Sequence, residues 1–258
     1  MIDVHNHLLP ALDDGAENLD ETLRMCRMAA EDGIDVVVAT PHAYDGKFVT
    51  DPDTIRTAVA ELNDRLAEEG IDLMVLPGME VRVSAELPHR LLNGEILPLN
   101  DRTYVLVEFH PAHIPVGFEN LVHQLVQSGY RLILAHPEQN IGIQARPEYL
   151  YKLLNLFDPF TILCQITAAS IMEGNGSDSA KTAKILLENN LAHLMASDAH
   201  NALSRPPVLS PAVNIASSII GEERAAWMVT DFPRAVIEGE PLSAQWEPQN
   251  PRRWWRLW

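Results

Sequence analysis

Two histidines separated by one residue, His5 and His7, directly follow a short apolar segment at the start of the chain. Alternate side chains of an extended strand share a face, so both imidazoles can project toward one metal ion. Buried His, Asp and Glu are costly unless they are paired or metallated, so further residues of these types after other apolar runs predict one shared metal site. These further candidates are His42, Glu80, Glu108, His136, Asp198 and His200, with Asp14 in the turn beyond the first pair.

The apolar runs that precede these residues are rich in Val, Ile and Leu and show no polar alternation. Such runs are typical of strands buried on both faces of a parallel sheet. With helical patterns between them, they predict an α/β protein with a seven-stranded β/α barrel, whose chemistry lies at the carboxyl ends of the strands. The sixth strand ends in Gln165 and Thr167, which we expect at most to support a ligand. The seven predicted strands are Met1–Val4, Ile34–Ala39, Leu73–Leu76, Tyr104–Val107, Leu132–Ala135, Thr161–Ile166 and Leu191–Ala196.

Helical patterns fill the segments between the runs. Asn18 with Glu21 three residues later predicts the start of the first helix, and Gly33 predicts its end. Further helices are expected over residues 53–69, 116–128, 147–156, 177–190, 210–220 and 222–229, with a short one opening at Pro233. We predict one barrel domain over residues 1–240, followed by a Pro/Trp/Arg-rich tail over residues 241–258.

The composition excludes several classes of protein. A net charge of −17 over 258 residues disfavours binding to nucleic acid or to an anionic membrane surface. Cys26 and Cys164 are expected as reduced packing residues rather than a disulfide. No run is long and apolar enough to span a bilayer and no basic leader precedes the first strand, so we expect a cytoplasmic protein. The basic and aromatic run at residues 250–258 leaves three roles open: a membrane contact, a protein contact, or folding back over the barrel.

Several segments resemble a known family. The string His5-Asn6-His7-Leu8-Leu9-Pro10, followed by Asp13-Asp14-Gly15, resembles the opening of the polymerase-and-histidinol-phosphatase (PHP) superfamily. Later segments are similar to the bacterial manganese-dependent protein-tyrosine phosphatases of capsule and exopolysaccharide operons, and the resemblance runs from Met1 to about Gly239. These segments lie at residues 40–42, 78–82, 107–109, 135–138, 197–201 and 205–207.

The resemblance implies a distorted seven-stranded, TIM-like barrel with three divalent metal ions, Mn²⁺ by expectation and Fe, Zn²⁺ or Mg²⁺ as alternatives. Imidazole and carboxylate ligands without a usable thiolate suit such ions. Three dications would outweigh the four ligand carboxylates and give an acidic protein a locally positive site for phosphate. By the resemblance, His5, His7, Glu80 and Asp198 hold one ion, Glu80, Glu108 and His136 a second, and Asp14, His42 and His200 a third.

The implied activity is that of a metal-dependent phosphoric monoester hydrolase of the protein-tyrosine-phosphatase type. Its substrate would be a phosphotyrosine-bearing protein, namely a membrane tyrosine kinase that controls polysaccharide synthesis or export. Phenol, with a pKa of about 10, leaves with less help from a general acid than an alkyl alcohol does. We expect Arg205 to clamp the phosphate, and Asp198 or His200 to serve if an acid is used.

One position departs from the family pattern. The phosphatases that this chain resembles usually have Arg where Gln139 follows His-Pro-Glu here. Gln139 can donate a hydrogen bond to substrate but carries no charge, and Arg82 or Arg146 is a candidate substitute. Two alternative functions therefore stay open: a small-molecule phosphoesterase acting on a substrate such as histidinol phosphate, and a metal-binding regulatory protein with weakened turnover. His89, His123 and His193 are expected to be structural or exposed, whereas His110 or His113 is a candidate substrate contact at the mouth.

Overall fold

A computed structural model describes residues 1–242, 244 and 246–251. In this part of the chain nine short strands form two sheets, and every strand pair is parallel. The three-stranded sheet has the order β1-β2-β4, and the six-stranded sheet has the order β3-β5-β6-β7-β8-β9. The strands are β1 Ile2–Asn6, β2 Val36–Ala39, β3 His42–Ala43, β4 Met74–Pro77, β5 Glu80–Arg82, β6 Tyr104–Glu108, β7 Arg131–Ala135, β8 Ile162–Thr167 and β9 Leu194–Ala196.

The strand count differs from the predicted seven because two strand lines are interrupted. Pro41 lies between β2 and β3, and proline has no N–H to donate to a strand ladder. Gly78 lies between β4 and β5, where a Cβ atom would stand 2.7 Å from the Leu99 side chain and 2.9 Å from that of Val38. The α/β class with parallel sheets is confirmed. The seven-strand count is not, and the closed barrel stays a prediction.

Side chains and loop backbone join the two sheets beside β1. Buried Asp3 accepts hydrogen bonds from the Ser197 backbone N–H at 3.0 Å and from the Ser197 hydroxyl at 2.6 Å. Around the ends of β1 and β9, the Asp198 N–H donates to the His5 carbonyl and the His7 N–H to the Ala199 carbonyl, each at 2.9 Å. The start of the chain and the segment after β9 are therefore held side by side, as a shared site requires.

The helices follow the predicted pattern with shifted ends. Asn18 caps α1 as predicted, since its side chain accepts a hydrogen bond from the Glu21 N–H. The last helix begins at Asp231, two residues before Pro233, because proline is tolerated within a first helical turn. The helices α3, α5 and α7 are too short to have shown a periodicity. The helices are α1 Leu19–Glu31, α2 Pro52–Glu69, α3 Leu87–Leu92, α4 Phe118–Gln127, α5 Ile141–Ala145, α6 Glu148–Leu154, α7 Ala168–Ile171, α8 Ser177–Glu188, α9 Ser210–Ile220, α10 Glu222–Trp227 and α11 Asp231–Glu238, with short 3₁₀ turns at Leu99–Asp101 and Pro137–Gln139.

The core lies around the strands, and every residue of β1, β6 and β8 is buried. The continuous apolar runs thus have the predicted environment, with helices packed over the sheets. Cys26 and Cys164 are free and buried, as predicted, and burial raises the pKa of the Cys26 thiol to about 12. Within the described residues, no helix combines the length and the apolarity needed to span a membrane.

The described residues after Gly239 pack onto this core. Trp246 is buried, its ring lies 5.2 Å from the Phe232 ring, and the Arg224 guanidinium stands 4.2 Å from it. Packing therefore continues past residue 240, where the predicted tail begins. Residues 252–258, which make up most of the basic and aromatic run, lie outside the described residues.

Replacement of Trp246 by Ala should lower the free energy of unfolding by about 3–5 kcal/mol, because it leaves a cavity against Phe232. Urea denaturation followed by circular dichroism measures the change, with the exposed Val116→Ala as the control. A loss below about 1 kcal/mol would show that the residues after 240 are not part of the stabilising core.

Candidate metal centre

The nine predicted ligands come together at one edge of the strands. His5 lies in β1, His42 opens β3, Glu80 opens β5, and Glu108 ends β6. In the six-stranded sheet, His42 is paired in register with Glu80, and Arg82 with Glu108. The other ligands lie in the loops that leave β1, β7 and β9, because parallel strands all end at the same edge. These are His7, Asp14, His136, Asp198 and His200.

The His5 and His7 rings face each other, with their Nε2 atoms 3.1 Å apart. The Nδ1 atom of His5 lies 2.9 Å from the Gln165 side-chain oxygen, and that of His7 lies 2.6 Å from the Asp13 carboxylate. Because both partners accept hydrogen bonds, each Nδ1 is placed to donate its proton to them. Both Nε2 atoms are then left facing each other across one point, an arrangement that a bound cation stabilises.

Glu80 is the centre of the cluster, and its side chain is completely buried. One carboxylate oxygen accepts a hydrogen bond of 2.8 Å from His136 Nε2. The other oxygen lies 2.9 Å from His42 Nδ1, 3.3 Å from His5 Nε2 and 3.5 Å from His7 Nε2. Four imidazoles therefore surround a single carboxylate.

Asp14 and His200 complete the cluster on its open side. The Asp14 carboxylate, about half exposed, lies 3.6 Å from His42 Nε2 and 3.5 Å from His200 Nε2. His200 Nδ1 donates to the Asp198 carbonyl at 3.0 Å, which leaves Nε2 free to face Asp14. Burial and the neighbouring His7 lower the pKa of His200 to about 3, so the ring is neutral, as a ligand must be.

The ligand atoms form three overlapping groups, each with its atoms within 4.8 Å of one another. The groups differ from the predicted sets because His7 and His42 each belong to two of them. Asp198 and His136 flank the groups: Asp198 Oδ1 is 3.6 Å from His5 and 3.5 Å from His7, and His136 contacts Glu80. The groups are His5, His7 and Glu80; His42, Glu80 and Glu108; and His7, Asp14, His42 and His200.

Buried atoms without hydrogen bonds show that this geometry fits cations. His42 Nδ1, Glu80 Oε2 and Glu108 Oε1 are buried and make no hydrogen bond of acceptable geometry, although Glu108 Oε1 is ion-paired with Arg82 Nη2 at 2.9 Å. Buried polar atoms in native proteins rarely lack hydrogen bonds, and a metal ion would supply a partner to all three. Imidazole nitrogen and carboxylate oxygen are ligands that Mn²⁺, Fe and Zn²⁺ accept.

The electrostatics of the cluster call for positive charge. Burial opposes protonation of His5, but the Glu80 and Asp198 carboxylates outweigh it and raise the pKa of His5 to about 10. Burial also opposes protonation of His42, but the neighbouring Glu80 carboxylate outweighs it and raises the pKa of His42 to about 9. Burial and the Glu80 charge raise the pKa of the Glu108 carboxyl to about 7. Protons and metal ions therefore compete for these donors, so metal affinity must fall in acid.

Two site residues have an unusual backbone conformation. His136 has φ of 32° and Asp198 has φ of 53°, both in the left-handed region that side chains other than glycine rarely enter. Such strain clusters at functional sites, where surrounding contacts maintain it. At both residues the backbone turns sharply as it leaves a strand, and this turn brings their side chains to the cluster.

Asp13 supports the cluster in a role that the sequence did not predict. Its carboxylate binds His7 Nδ1 and accepts from the backbone N–H groups of Gly15 and His42, each at 2.9 Å. Gly15 permits this turn, because a Cβ atom there would lie 1.9 Å from the His7 carbonyl oxygen. A signal was available, since Asp two residues before Gly commonly accepts a backbone N–H in a turn. Gln165 has the supporting role that we expected.

The predicted substrate residues lie around the same edge. Arg205 Nη2 is 2.8 Å from the Asp198 carboxylate, and its side chain is 41 % exposed. Gln139 donates to the Thr167 hydroxyl at 3.1 Å. Of the two candidate substitute arginines, the described contacts bring Arg82 to the cluster, where Nη2 is 2.9 Å from Glu108; Arg146 is exposed.

Comparison with known proteins identifies the family. The model of the family described as capsular polysaccharide synthesis, CpsB/CapC, matches residues 1–238. This chain belongs to the CpsB/CapC family. As a CpsB/CapC protein it is similar to the tyrosine-protein phosphatase YwqE of Bacillus subtilis, at 36 % identity over 98 % of this chain and 97 % of that protein. It is also similar to the tyrosine-protein phosphatase CpsB of Streptococcus pneumoniae, at 27 % identity over 92 % of this chain and 98 % of that protein.

Solved structures agree with the family assignment. The crystal structure of YwqE, described with CpsB as a unique metal-dependent tyrosine phosphatase, matches with a TM-score of 0.91 over 97 % of this chain and 99 % of that one. A histidinol phosphate phosphatase from Lactococcus lactis matches with a TM-score of 0.56 at 13 % identity, over 88 % of this chain and 95 % of that one. The second likeness shows a shared fold alone.

The remaining histidines of this CpsB/CapC protein lie elsewhere. His89 and His123 are exposed, as expected. His193 directly precedes β9, rather than lying inside the last strand as predicted. Its Nδ1 accepts the Cys164 N–H, and burial lowers its pKa to about 3. The His110 and His113 rings stack 4.8 Å apart in an exposed loop after β6. Their predicted contact with substrate stays a prediction.

Replacement of Asp13 by Asn should weaken Mn²⁺ binding by about 10–100-fold, because a neutral amide orients the His7 ring less firmly. Calorimetric titration of the metal-free protein measures this affinity, and Asp53→Asn, at an exposed carboxylate of α2, is the matched control. Equal affinities for the two variants would contradict the supporting role of Asp13.

Proposed function

We propose that this chain is a metal-dependent phosphatase that hydrolyses phosphotyrosine in proteins. The observation that carries the proposal is the convergence of nine imidazole and carboxylate side chains at one edge of the strands, three of which have buried atoms without a hydrogen bond. The similarity to YwqE, a tyrosine-protein phosphatase, over nearly the whole chain supports the same activity here. Within the described residues both cysteines are buried, which argues against a thiolate nucleophile.

The residues of the cluster have separate roles in phosphate binding. We assign three divalent ions to the three overlapping ligand groups, with Mn²⁺ as the proposed metal. When bound, such ions would polarise phosphoryl oxygens and lower the pKa of a bound water molecule toward neutrality. Gln165 and Asp13 fix the His5 and His7 rings through their Nδ1 atoms and keep both Nε2 atoms directed inward.

Arg205 is the proposed phosphate clamp. One guanidinium nitrogen is held by Asp198, and the exposed part of the group has further N–H donors for a phosphoryl oxygen. Burial is outweighed by His5 and other cationic neighbours, which lower the pKa of Asp198, while burial and His7 lower the pKa of His200 to about 3, so that its ring is neutral near neutral pH. We therefore assign Asp198 and His200 to ligand roles rather than to acid catalysis. Because the phenol that leaves has a pKa of about 10, it can depart from this site without a general acid.

The physiological setting is proposed from the same observations. The substrate is a phosphotyrosine protein of capsule or exopolysaccharide synthesis, with a membrane tyrosine kinase as the proposed partner; the family description supports the link to capsule synthesis. Two free, buried cysteines and the acidic composition support action in the cytoplasm. Likeness to hydrolases such as histidinol phosphate phosphatase supports the distorted, closed seven-stranded barrel.

Purified protein loaded with Mn²⁺ should hydrolyse para-nitrophenyl phosphate and phosphotyrosine peptides, and a chelator should abolish the activity. Phosphate release and elemental analysis of the same samples measure turnover and metal content. Preference for histidinol phosphate would favour the small-molecule phosphoesterase. Full metal content without turnover of any of these substrates would favour a regulatory metal-binding protein.

Replacement of Gln139 by Arg should raise kcat/KM for phosphotyrosine peptides by about tenfold, because a guanidinium adds a charge-assisted hydrogen bond to phosphate. Gln127→Arg, at the exposed end of α4, adds the same charge away from the site and should leave kcat/KM unchanged. If the two variants behave alike, the neutral residue at position 139 does not limit the enzyme.

A further inference from the structure

An aromatic side chain lies directly beside the metal ligands. The Phe48 ring is parallel to the His42 ring, with an angle of 8° between the planes and 6.2 Å between the centroids. His42 lies in two of the three ligand groups. Phe48 therefore stands one ring beyond the cluster, next to a ligand that two of its groups share.

The loop between β3 and α2 holds Phe48 in place. The Tyr44 N–H donates to the Phe48 carbonyl at 2.9 Å, and Tyr44 itself has φ of 57°. The Asp45 carboxylate accepts the N–H groups of Lys47 at 2.8 Å and of Phe48 at 2.7 Å. Three hydrogen bonds within five residues make this a preorganised turn, so the position of Phe48 does not depend on a partner.

The Phe48 ring is partly open to solvent. The Lys47 ammonium lies 4.2 Å from the ring centroid, and the adjacent Val49 is 73 % exposed. Leu203 is 92 % exposed in the turn after His200 that carries Arg205. That turn is also ordered, because the Asn201 side-chain oxygen accepts the N–H groups of Leu203, Ser204 and Arg205, and the Arg205 carbonyl accepts the His200 N–H. The loops that follow His42 and His200 therefore both present exposed apolar side chains.

We propose that Phe48 recognises the aromatic ring of the substrate and so selects aryl over alkyl phosphate esters. This inference rests on the proposed phosphatase function and names the residue that sets its specificity. In a phosphate ester held at the cluster by Arg205, the ester oxygen is bonded directly to phosphorus. An aryl ring on that oxygen must therefore lie within about one ring diameter of the metal ligands. Aromatic rings attract each other at centroid distances of 4.5–7 Å. An alkyl ester such as phosphoserine presents no ring for this contact.

The test compares Phe48→Ala with a matched control, Phe157→Ala. Phe157 is also partly buried and lies 4.6 Å from a histidine ring, that of His123, but it precedes β8 at the opposite edge of the strands. In the metal-loaded protein, Phe48→Ala should lower kcat/KM for a phosphotyrosine peptide about tenfold and leave that for the matched phosphoserine peptide within about twofold. Phe48→Tyr should restore the selectivity, and Phe157→Ala should not change it.

A binding measurement keeps the inference separate from the proposed function. Calorimetry on the metal-loaded protein should show tighter binding of phenylphosphonate than of methylphosphonate. Phe48→Ala should reduce the ratio of the two affinities about tenfold. Metal content should be equal in all variants. A loss of the same size for both phosphonates or both peptides, or an equal effect of Phe157→Ala, would overturn the role of Phe48. If the wild-type protein hydrolyses neither peptide, the proposed function fails, and the phosphonate preference alone decides whether Phe48 binds aryl groups.

Discussion

The structure of the site depends on one buried carboxylate. Glu80 lies at the start of β5 with no exposed surface, and four imidazoles from three other strand lines approach its two oxygens. A buried anion is costly unless positive charge compensates it. Burial is outweighed here by His5 and the other histidines, which hold the pKa of Glu80 well below its usual range. The segments at the ends of β1, β2 and β7 therefore each place an imidazole close to Glu80.

The same constraint explains how an acidic protein can bind a phosphate ester. The chain carries a net charge of −17, yet at its cluster of carboxylates the proposed divalent cations would replace protons. Arg82 in β5 pairs with Glu108, and Arg205 in the loop after β9 pairs with Asp198, so each binds one cluster carboxylate. Positive charge is thus concentrated where phosphate would bind, while the remaining surface stays acidic. The fold determines where the ligands lie, and the charges at the cluster determine the sign of the local electrostatic potential.

Local backbone features maintain this arrangement. Gly15 allows the Asp13 turn to close against His7, and the left-handed conformations of His136 and Asp198 turn the chain immediately after two strands. Preorganised side chains bind a ligand at lower entropic cost than mobile ones. The hydrogen-bonded turns that present Phe48 and Arg205 extend the same principle from the ligands to the residues proposed to contact substrate.

The sequence by itself determined the α/β class, the free cysteines, the cap at Asn18 and the set of donors that meet at one edge. These follow from local patterns, because apolar runs define strands and parallel strands share an edge. Only the tertiary structure decided which atoms face each other: that Asp13 rather than Asp14 holds His7, that Arg82 rather than Arg146 reaches Glu108, and that His42 belongs to two ligand groups. It also decided where Pro41 and Gly78 interrupt the strand lines and that Trp246 joins the core. Spacing along the chain determines which ligand follows which strand. The distances between the ligand side chains depend instead on loop closure and on packing between residues far apart in sequence.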